Sequence, residues 1–247
     1  MSESNSNIQQ KSKKNIVDEN TKKQLNIIAH IRTDFPTKFG VPRQSGLIEE
    51  LKAQIIFEPE YRNPDAFRGL EGFSRIWLLW EFSKAIRDTW APMVKPPRLG
   101  GNKRMGVFAT RSPFRPNSIG LSSVKLEHIE YHSELGPVLH VAGADMMDNT
   151  PIYDIKPYIP YTDSHPDAVG GFADPLRSYS LDVVFPEEML HMIPEEKRKA
   201  IQFVLASDPR PSYQKDPNRR YGVEFAGFDV RFTVQQNTLT VCEVVKL

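Results

Sequence analysis

Residues 119–130 read IGLSSVKLEHIE, and they indicate how this chain folds. In their second half apolar residues alternate, imperfectly, with charged ones, close to the two-residue period of a strand with one buried face. Six further short runs have the same β-forming character: residues 25–32, 52–57, 75–82, 105–110, 138–144 and 179–185. We therefore expect a chain built mainly from strands.

Prolines separate these runs. They stand at positions 92, 96, 97, 113 and 116, and again at 151, 157, 160 and 166. Proline fixes φ and cannot donate to a β-ladder, so the stretches between strands are expected to be extended loops. Helical periodicity is nearly absent before residue 187. This organisation favours a β-barrel or a highly curved sheet.

The pattern changes near the C-terminus. Apolar residues recur at helical spacing over residues 190–205, and residues 227–247 read as a β-hairpin with its turn at 236–237. We therefore expect a small α+β domain at residues 187–247, after a β domain at residues 25–186.

The remaining residues, 1–24, are rich in Ser, Asn, Gln and Lys and are expected to form a disordered tail. The single cysteine, Cys242, excludes an intrachain disulfide and a cysteine-built zinc site, as is typical of a reducing compartment. The longest apolar run, residues 76–80, is far shorter than the ~20 residues of a membrane span. No secretory signal is recognisable, so a cytoplasmic protein is expected.

Charge is unevenly distributed although the net charge is only +1. Residues 89–126 contain no acidic residue, yet they include Lys95, Arg98, Lys103, Arg104, Arg111, Arg115 and Lys125. Cations on a loop shaped by glycine and proline suit a phosphate or carboxylate ligand. A solvated basic loop has the same composition, so both interpretations stay open.

Residues 145–161, DMMDNTPIYDIKPYIPY, place carboxylates among aromatic rings, which suits a cationic ligand or proton transfer. A capped turn followed by an edge strand is the alternative. Asp154, Lys156 and Tyr158 share one parity in an extended segment, so they are expected on the same face.

The usual cofactor and metal motifs are missing. Neither G-x-G-x-x-G nor G-x-x-x-x-G-K-[ST] nor H-E-x-x-H occurs, which makes a Rossmann enzyme or a zincin improbable. Asp163, His165 and Asp167 have the chemistry of metal ligands, but a proline turn with an Asx cap explains the same residues. No metal is expected.

Four segments carry a resemblance to a known family: IRTDFPTKFGVPRQSGL (31–47), LEGFSRIWLLWEF (70–82), PPRLGGNKRMGVFATRSPFRPNSIGL (96–121) and DMMDNTPIYDIKPYIP (145–160). On these segments the chain closely resembles the TsaA-like (TrmO) family of S-adenosylmethionine-dependent tRNA methyltransferases. The resemblance implies a single-sheet β-barrel methyltransferase domain and a homodimer. It also implies methylation of N6 of N6-threonylcarbamoyladenosine, the nucleoside 3′ of the anticodon in certain threonine tRNAs.

The resemblance further implies the binding residues. Those expected to contact the cofactor are Pro42, Arg43, Gln44, Ser83, Lys84, Arg111, Leu121, Asp148, Asn149, Thr150 and Pro151. Asn149 replaces the glycine of the family's D-G-T-P, and asparagine tolerates positive φ nearly as glycine does. Ser83 and Lys84 stand where relatives often have histidine. We expect tRNA contacts from Arg98, Lys103, Arg104, Arg115, Arg219 and Arg220.

The substrate nitrogen is conjugated, so its proton must be removed or shared. We expect Asp154 or Tyr158 to accept it, while Lys156 lowers a neighbour's pKa or holds the threonyl carboxylate. Alternatively, Asp154 and Lys156 are an ion pair that supports the cofactor loop. Two other functions stay open: a non-catalytic tRNA-binding module and a metal-dependent hydrolase.

Overall fold

The computed structural model describes residues 24–87, 89–96, 99, 103–176, 179–211, 214 and 216–247. The expected tail lies outside the described residues except for Gln24, and so does Arg98. The strands are β1 (Ala29–Arg32), β2 (Lys52–Phe57), β3 (Arg75–Glu81), β4 (Met93–Val94), β5 (Met105–Gly106), β6 (Ile119–His132), β7 (Gly136–Ala142), β8 (Thr150–Pro157), β9 (Asp182–Val184), β10 (Tyr221–Phe225), β11 (Phe228–Gln235) and β12 (Thr238–Lys246). The α-helices are α1 (Pro160–Asp163), α2 (Glu187–His191) and α3 (Glu195–Ala206).

Six of these strands close into one barrel in the order β1-β2-β7-β6-β3-β8. Every neighbouring pair is antiparallel. The expectation of a mainly β, single-sheet barrel is therefore confirmed. Strand β8 pairs with both β1 and β3, so the alternative that placed an edge strand in this segment is wrong.

Alternation explains why these residues form a barrel wall. Ile76, Leu78 and Trp80 of β3 are buried, while the residues between them are partly exposed. Their buried faces join aliphatic side chains from the other strands in one core. Branched and aromatic residues on alternating positions are those that fill a small barrel and exclude a pore.

Several predicted strands, two of them in the barrel domain, are shorter in the structure. Strand β1 begins only at Ala29, and the run at 105–110 forms a strand over two residues before it turns into a 3-10 helix, Val107–Ala109. The backbone N–H of Val107 donates to the carbonyl of Pro92 at 3.0 Å, which ends the β4–β5 ribbon and turns the chain.

The C-terminal part forms a four-stranded sheet, β10-β11-β12-β9, together with α2 and α3. The predicted hairpin is confirmed as β11–β12. Strand β9 pairs in parallel with β12, so the run at 179–185 belongs to this sheet and not to the barrel. The boundary at residue 186/187 stays a prediction, and this pairing favours a boundary before Leu181.

The long β1–β2 connection is held between the barrel and the second sheet. Phe35 and Ile48 of this connection pack into the same core as Val223 and Phe225. A Cβ at Gly40 would lie 2.6 Å from Cγ1 of Val223, and Gly40 has a φ of +95°. Lys197 of α3 forms an ion pair with Asp34 at 2.5 Å. The second sheet therefore positions this connection.

Strand directions place three connections at one end of the barrel. Because the strands alternate in direction, β1, β3 and β7 end where β2, β6 and β8 begin. We call this the upper end; it carries the connections at residues 33–51, 82–118 and 143–149. The opposite end, with the β6–β7 hairpin and the segment after β8, is the lower end.

Trp80 closes the barrel interior near the upper end and restricts Gly120. A Cβ on Gly120 would lie 2.2 Å from Cε2 of Trp80. We predict that Gly120→Ala lowers the free energy of unfolding by about 1–3 kcal/mol, because the indole must shift in a packed core. Urea denaturation measures this, with Gly72→Ala as the matched control, since a Cβ there meets nothing within 4 Å. Equal stability of the two variants would contradict the predicted clash.

Candidate functional site

The upper end collects all the residues expected to contact the cofactor. Pro42, Arg43 and Gln44 lie in the β1–β2 connection, Ser83 and Lys84 follow β3, Arg111 lies in the β3–β6 connection, Leu121 lies near the start of β6, and Asp148, Asn149, Thr150 and Pro151 join β7 to β8. Segments far apart in sequence thus meet because of strand direction. Their contacts with a cofactor remain predictions.

Gln44 and its neighbours tie these connections together. The Arg111 guanidinium donates to Oε1 of Gln44. The backbone N–H of Ser123 donates to Oγ of Ser45 at 3.1 Å, and the N–H of Gly46 donates to the carbonyl of Gly143 at 2.8 Å. The Gln44–Gly46 segment therefore touches the other two connections and β6.

A series of hydrogen bonds runs from the barrel interior to the upper end. Nε1 of Trp80 donates to Oγ of Ser122 at 2.9 Å, and the Ser122 hydroxyl donates to Oδ1 of Asp145 at 2.6 Å. Burial raises the pKa of Asp145, although hydrogen bonds from Ser122 and the Ser45 backbone and the positive charge of Arg111 act in the opposite direction. Asp145 was not among the predicted site residues.

The Asp148–Asn149 turn is held by β1. Oδ1 of Asp148 accepts from the N–H of Thr33 at 3.0 Å and lies 3.2 Å from Nε of Arg32. The N–H of Asn149 donates to the carbonyl of Ile31 at 2.8 Å. Asn149 has a φ of 61°, which confirms the positive φ expected where the family has glycine. The Asp148 carboxylate thus has a structural role in the turn.

Arg43 and its neighbour Pro42 differ in exposure. Pro42 is buried, whereas Arg43 is exposed and donates to the carbonyls of Asp208 and Arg210, at 3.3 and 3.1 Å. Asp208 and Arg210 are themselves joined by an ion pair at 2.8 Å. Arg43 therefore links the PRQ motif to the segment after α3.

Asp154, Lys156 and Tyr158 lie together on the outer wall of the barrel. Nζ of Lys156 is 2.9 Å from Oδ2 of Asp154, and the Tyr158 ring lies 5.6 Å from that of Trp77. The expectation of a common face is confirmed. The three residues run from the middle of β8 toward the lower end, and Tyr158 lies roughly 25 Å along the chain from Thr150. Within one subunit the structure does not bring them to the upper end.

A β-bulge in β8 contains one further tyrosine, partly buried, that the sequence analysis did not select. Leu79 pairs with Asp154 and Trp80 with Ile152, which leaves Tyr153 as the extra residue. Burial, together with a hydrogen bond to the Glu81 carboxylate, raises the pKa of Tyr153 to about 12. The Tyr153 hydroxyl is therefore held as a hydrogen-bond donor to Glu81.

The residues expected to contact tRNA fall in two regions. Lys103 and Arg104 are exposed in the β3–β6 connection, where Nη1 of Arg115 donates to the carbonyls of Thr110 and Ser112. Arg219 and Arg220 precede β10 in the second region. Nη1 of Arg219 donates to Oε1 of Gln214 at 2.9 Å. Arg98 lies outside the described residues.

Asp163 has hydrogen-bond partners within the protein. Its Oδ2 accepts from the N–H of Ile159 at 2.8 Å and from Nε1 of Trp77 at 2.9 Å, and these two hydrogen bonds lower the pKa of Asp163. Among the residues that the structure describes, no three His, Cys, Asp or Glu side chains are grouped as metal ligands. The described residues therefore lend no support to a site at Asp163, His165 and Asp167. Within the same described ranges, every helix is too short or too polar to cross a membrane.

Comparisons with known proteins identify the family. The family model of the tRNA-methyltransferase O N-terminal domain matches residues 30–164, and that of the TrmO C-terminal domain matches residues 178–247. This chain belongs to the tRNA-methyltransferase O family. TrmO membership confirms the expected class of enzyme, a tRNA methyltransferase, and its methyl donor, S-adenosylmethionine.

Relatives in the TrmO family cover most of the chain. A tRNA (adenine(37)-N6)-methyltransferase of Escherichia coli is 42% identical over 219 residues, covering 85% of this chain and 93% of that protein. A mouse protein of the same description is 43% identical over 139 residues, covering 56% of this chain and 31% of its own. The crystal structure of TrmO from Pseudomonas aeruginosa superposes with a TM-score of 0.73 at 33% identity, covering 91% of this chain and 99% of the other.

The upper end of this TrmO family member has the donor set that S-adenosylmethionine needs. Arg111 offers a cation for the methionyl carboxylate. The Asp145 carboxyl, close enough for the charge of Arg111 to act on its pKa, fits the ammonium or sulfonium group. The Leu121 side chain is 54% exposed and offers apolar surface to the adenine. The residues present therefore fit the cofactor.

The raised pKa of Asp145 leads to a pH-dependent prediction. Because the folded pKa lies above the unfolded one, the unfolded state loses its proton first, so this carboxyl reduces stability as pH rises from the ordinary carboxyl range through the folded pKa. Asp145→Asn removes the titration. Wild type should therefore lose stability relative to Asp145→Asn as pH rises through that window, and the difference should be constant above it.

Urea denaturation at stepped pH measures this difference. In Ser122→Ala the carboxyl loses a hydrogen bond that lowers its pKa, so the fall should extend to higher pH. A difference between wild type and Asp145→Asn that does not vary with pH would show that folding leaves the titration of Asp145 unchanged.

Proposed function

We propose that the protein methylates N6 of N6-threonylcarbamoyladenosine next to the anticodon of threonine tRNA. The names of the relatives support adenine 37 as the target base. The observation that carries the proposal is the convergence of Gln44, Arg111 and Asp145 at one end of a closed β-barrel, which is not a Rossmann fold. We further propose a cytoplasmic homodimer, as the resemblance and the single cysteine suggest.

The upper end would bind and orient the methyl donor. Bound S-adenosylmethionine would supply an activated methyl group for transfer to N6, and the N6 proton would pass to a base. Arg111 would hold the carboxylate, and Gln44 keeps the guanidinium in place. Asp145 is anchored by the hydrogen bond from Ser122, which would fix its carboxyl at the upper end. Such positioning accounts for much of the rate when the donor is intrinsically reactive.

The outer face of β8 is our candidate for proton transfer. We propose that Asp154 or Tyr158 accepts the N6 proton and that Lys156 holds the threonyl carboxylate of the substrate. The contact of 2.9 Å between Asp154 and Lys156 places an acceptor and a cation side by side. Because Tyr158 lies about a strand length and Asp154 about half a strand length from the upper end, the reaction site would combine the upper end of one subunit with the β8 face of its partner. The proposed homodimer is therefore part of the mechanism.

Basic residues would hold the tRNA backbone. Lys103 and Arg104 are exposed at the upper end, and Arg219 and Arg220 are exposed in the C-terminal part. Cations that neutralise phosphates release counterions, so binding should weaken as salt rises. Arg115 keeps its guanidinium on backbone carbonyls and leaves further N–H donors for phosphate.

The decisive experiment is methyl transfer to defined RNA. Purified protein is incubated with labelled S-adenosylmethionine and threonine tRNA that carries N6-threonylcarbamoyladenosine, beside the same tRNA with unmodified adenosine. Mass spectrometry of the digested nucleosides should show one added methyl group only in the first. The non-catalytic tRNA-binding module would be indicated by a different result. In that case the protein would bind both tRNAs tightly, would not bind S-adenosylmethionine and would methylate neither tRNA.

We predict that Arg111→Ala weakens S-adenosylmethionine binding, because a charged hydrogen bond to the carboxylate is lost. The expected cost is ~1.5–3 kcal/mol, or roughly one to two decades in Kd. Isothermal calorimetry measures it, with Arg68→Ala as control, since Arg68 is an exposed arginine at the lower end whose partner is Asp65. If both variants bind the cofactor as wild type does, Arg111 does not contact it.

Single-turnover rates test the β8 face. We predict that Asp154→Asn and Tyr158→Phe bind cofactor and tRNA normally, and that at least one transfers methyl roughly 10²–10⁴-fold more slowly, the range usual for a lost general base. If both transfer methyl at wild-type rates, the proton acceptor lies elsewhere. If Asp154→Asn instead lowers cofactor affinity, the ion pair supports the cofactor loop.

A further inference from the structure

Two large aromatic side chains are exposed together at the upper end. Phe108 is 72% exposed and Trp90 is 48% exposed. Their ring centroids lie 6.0 Å apart with an angle of 25° between the planes. Aromatic rings of this size dominate cores and interfaces, so a pair in solvent indicates a surface that another molecule covers.

The local backbone holds both rings outward. In the 3-10 helix Val107–Ala109 the first side chain is 1% exposed and anchors the turn, which directs Phe108 to solvent. The N–H and the hydroxyl of Thr110 both donate to the carbonyl of Val107, at 3.1 and 2.8 Å. Earlier in the same connection, the N–H of Ala91, which follows Trp90, donates to the carbonyl of Phe114 at 3.1 Å. The pair is thus preorganised, which lowers the entropic cost of binding.

Positive charge surrounds the two rings. Cζ of Arg115 lies 6.0 Å from the centroid of Phe108, and Cζ of Arg87 lies 3.6 Å from that of Phe114. Lys103 and Arg104 are exposed in the same connection, and residues 89–126 contain no acidic side chain. An anionic partner with flat apolar groups complements this surface.

The same patch of a second copy does not fit here. If the patch faced itself across a twofold axis, like charges would meet at the interface and repel each other. Single-stranded RNA fits better, because its bases stack on aromatic and guanidinium planes while its phosphates pair with the cations.

We propose that Phe108 and Trp90 form a stacking platform for an unpaired base of the tRNA anticodon loop. The inference rests on the proposed function and identifies where the protein binds its tRNA substrate. Arg111 is three residues after Phe108, at most about 10 Å along an extended chain. A base on the platform is therefore a close neighbour of the nucleoside presented to the cofactor residues at the upper end.

Affinity for a labelled anticodon stem–loop that carries N6-threonylcarbamoyladenosine tests the platform. Phe108→Ala should weaken binding roughly ten- to hundredfold, the usual effect of losing one stacked ring. Phe108→Tyr keeps a ring and should bind as wild type does, whereas Phe108→Leu keeps only apolar bulk and should resemble the alanine variant. Tyr131→Ala is the matched control, because Tyr131 is a 59% exposed aromatic residue at the lower end.

Salt dependence separates stacking from charge. Phe108→Ala should leave the slope of log affinity against log salt unchanged, since it removes no cation, whereas Arg115→Ala should reduce that slope by about one. S-adenosylmethionine affinity of Phe108→Ala, measured by calorimetry, should equal that of wild type. This control shows that the cofactor residues remain in place.

Three results would overturn the platform: unchanged RNA affinity in Phe108→Ala, wild-type affinity in Phe108→Leu, or a change of subunit number in Phe108→Ala by light scattering. The last result would assign the rings to a subunit interface. If wild type methylates the RNA but Phe108→Ala binds it normally, only the platform fails. If wild type neither binds nor methylates it, the proposed function itself fails.

Discussion

The alternating strand direction of a closed antiparallel barrel is the constraint on which this molecule depends. In the order β1-β2-β7-β6-β3-β8 every neighbour is antiparallel, so the connections after β1, β3 and β7 must emerge at the same end. Residues as distant in sequence as Gln44, Arg111 and Asp145 thereby converge at the upper end, although the described parts of their connections contain no α-helix. In a Rossmann enzyme the ligand-binding residues lie at the carboxyl ends of parallel strands. In this barrel they lie at the upper end, where three strands end and the other three begin.

The barrel interior supports that end through polar contacts. An indole that fills a core still needs a partner for its N–H, and Trp80 finds it in Ser122. Ser122 in turn donates to Asp145, whose carboxyl is held against the cost of burial by this hydrogen bond and by the charge of Arg111. The same pair of hydrogen bonds therefore satisfies the buried indole and positions the carboxyl of Asp145. A change at Trp80 would be transmitted to the site through two hydrogen bonds.

Local pattern predicted the strands whose alternation is strong, such as β3 and β6, and the β11–β12 hairpin. It did not place β9, because a three-residue strand that pairs in parallel with the chain's last strand has no local signature of its sheet. The resemblance located the PRQ motif, but the bonds of Arg43 to the carbonyls of Asp208 and Arg210 join residues about 165 positions apart. Asp145 lies in the segment that was selected for a cationic ligand, but its hydrogen bond from Ser122 and the charge of Arg111 come from residues distant in sequence.

The second sheet limits how freely the upper end can move. Its core includes Phe35 and Ile48 from the connection that carries Gln44, and Lys197 of α3 bonds to Asp34 in the same connection. Arg43 adds a further link to the segment after α3. The β3–β6 connection, by contrast, is stabilised mainly within itself, by the β4–β5 ribbon and the turn at Val107. One wall of the upper end is therefore fixed by the C-terminal part, while the wall that bears Arg111 and Phe108 meets it at the contact between Gln44 and Arg111. A ligand that contacts both walls would therefore add to the hydrogen bond that already joins them.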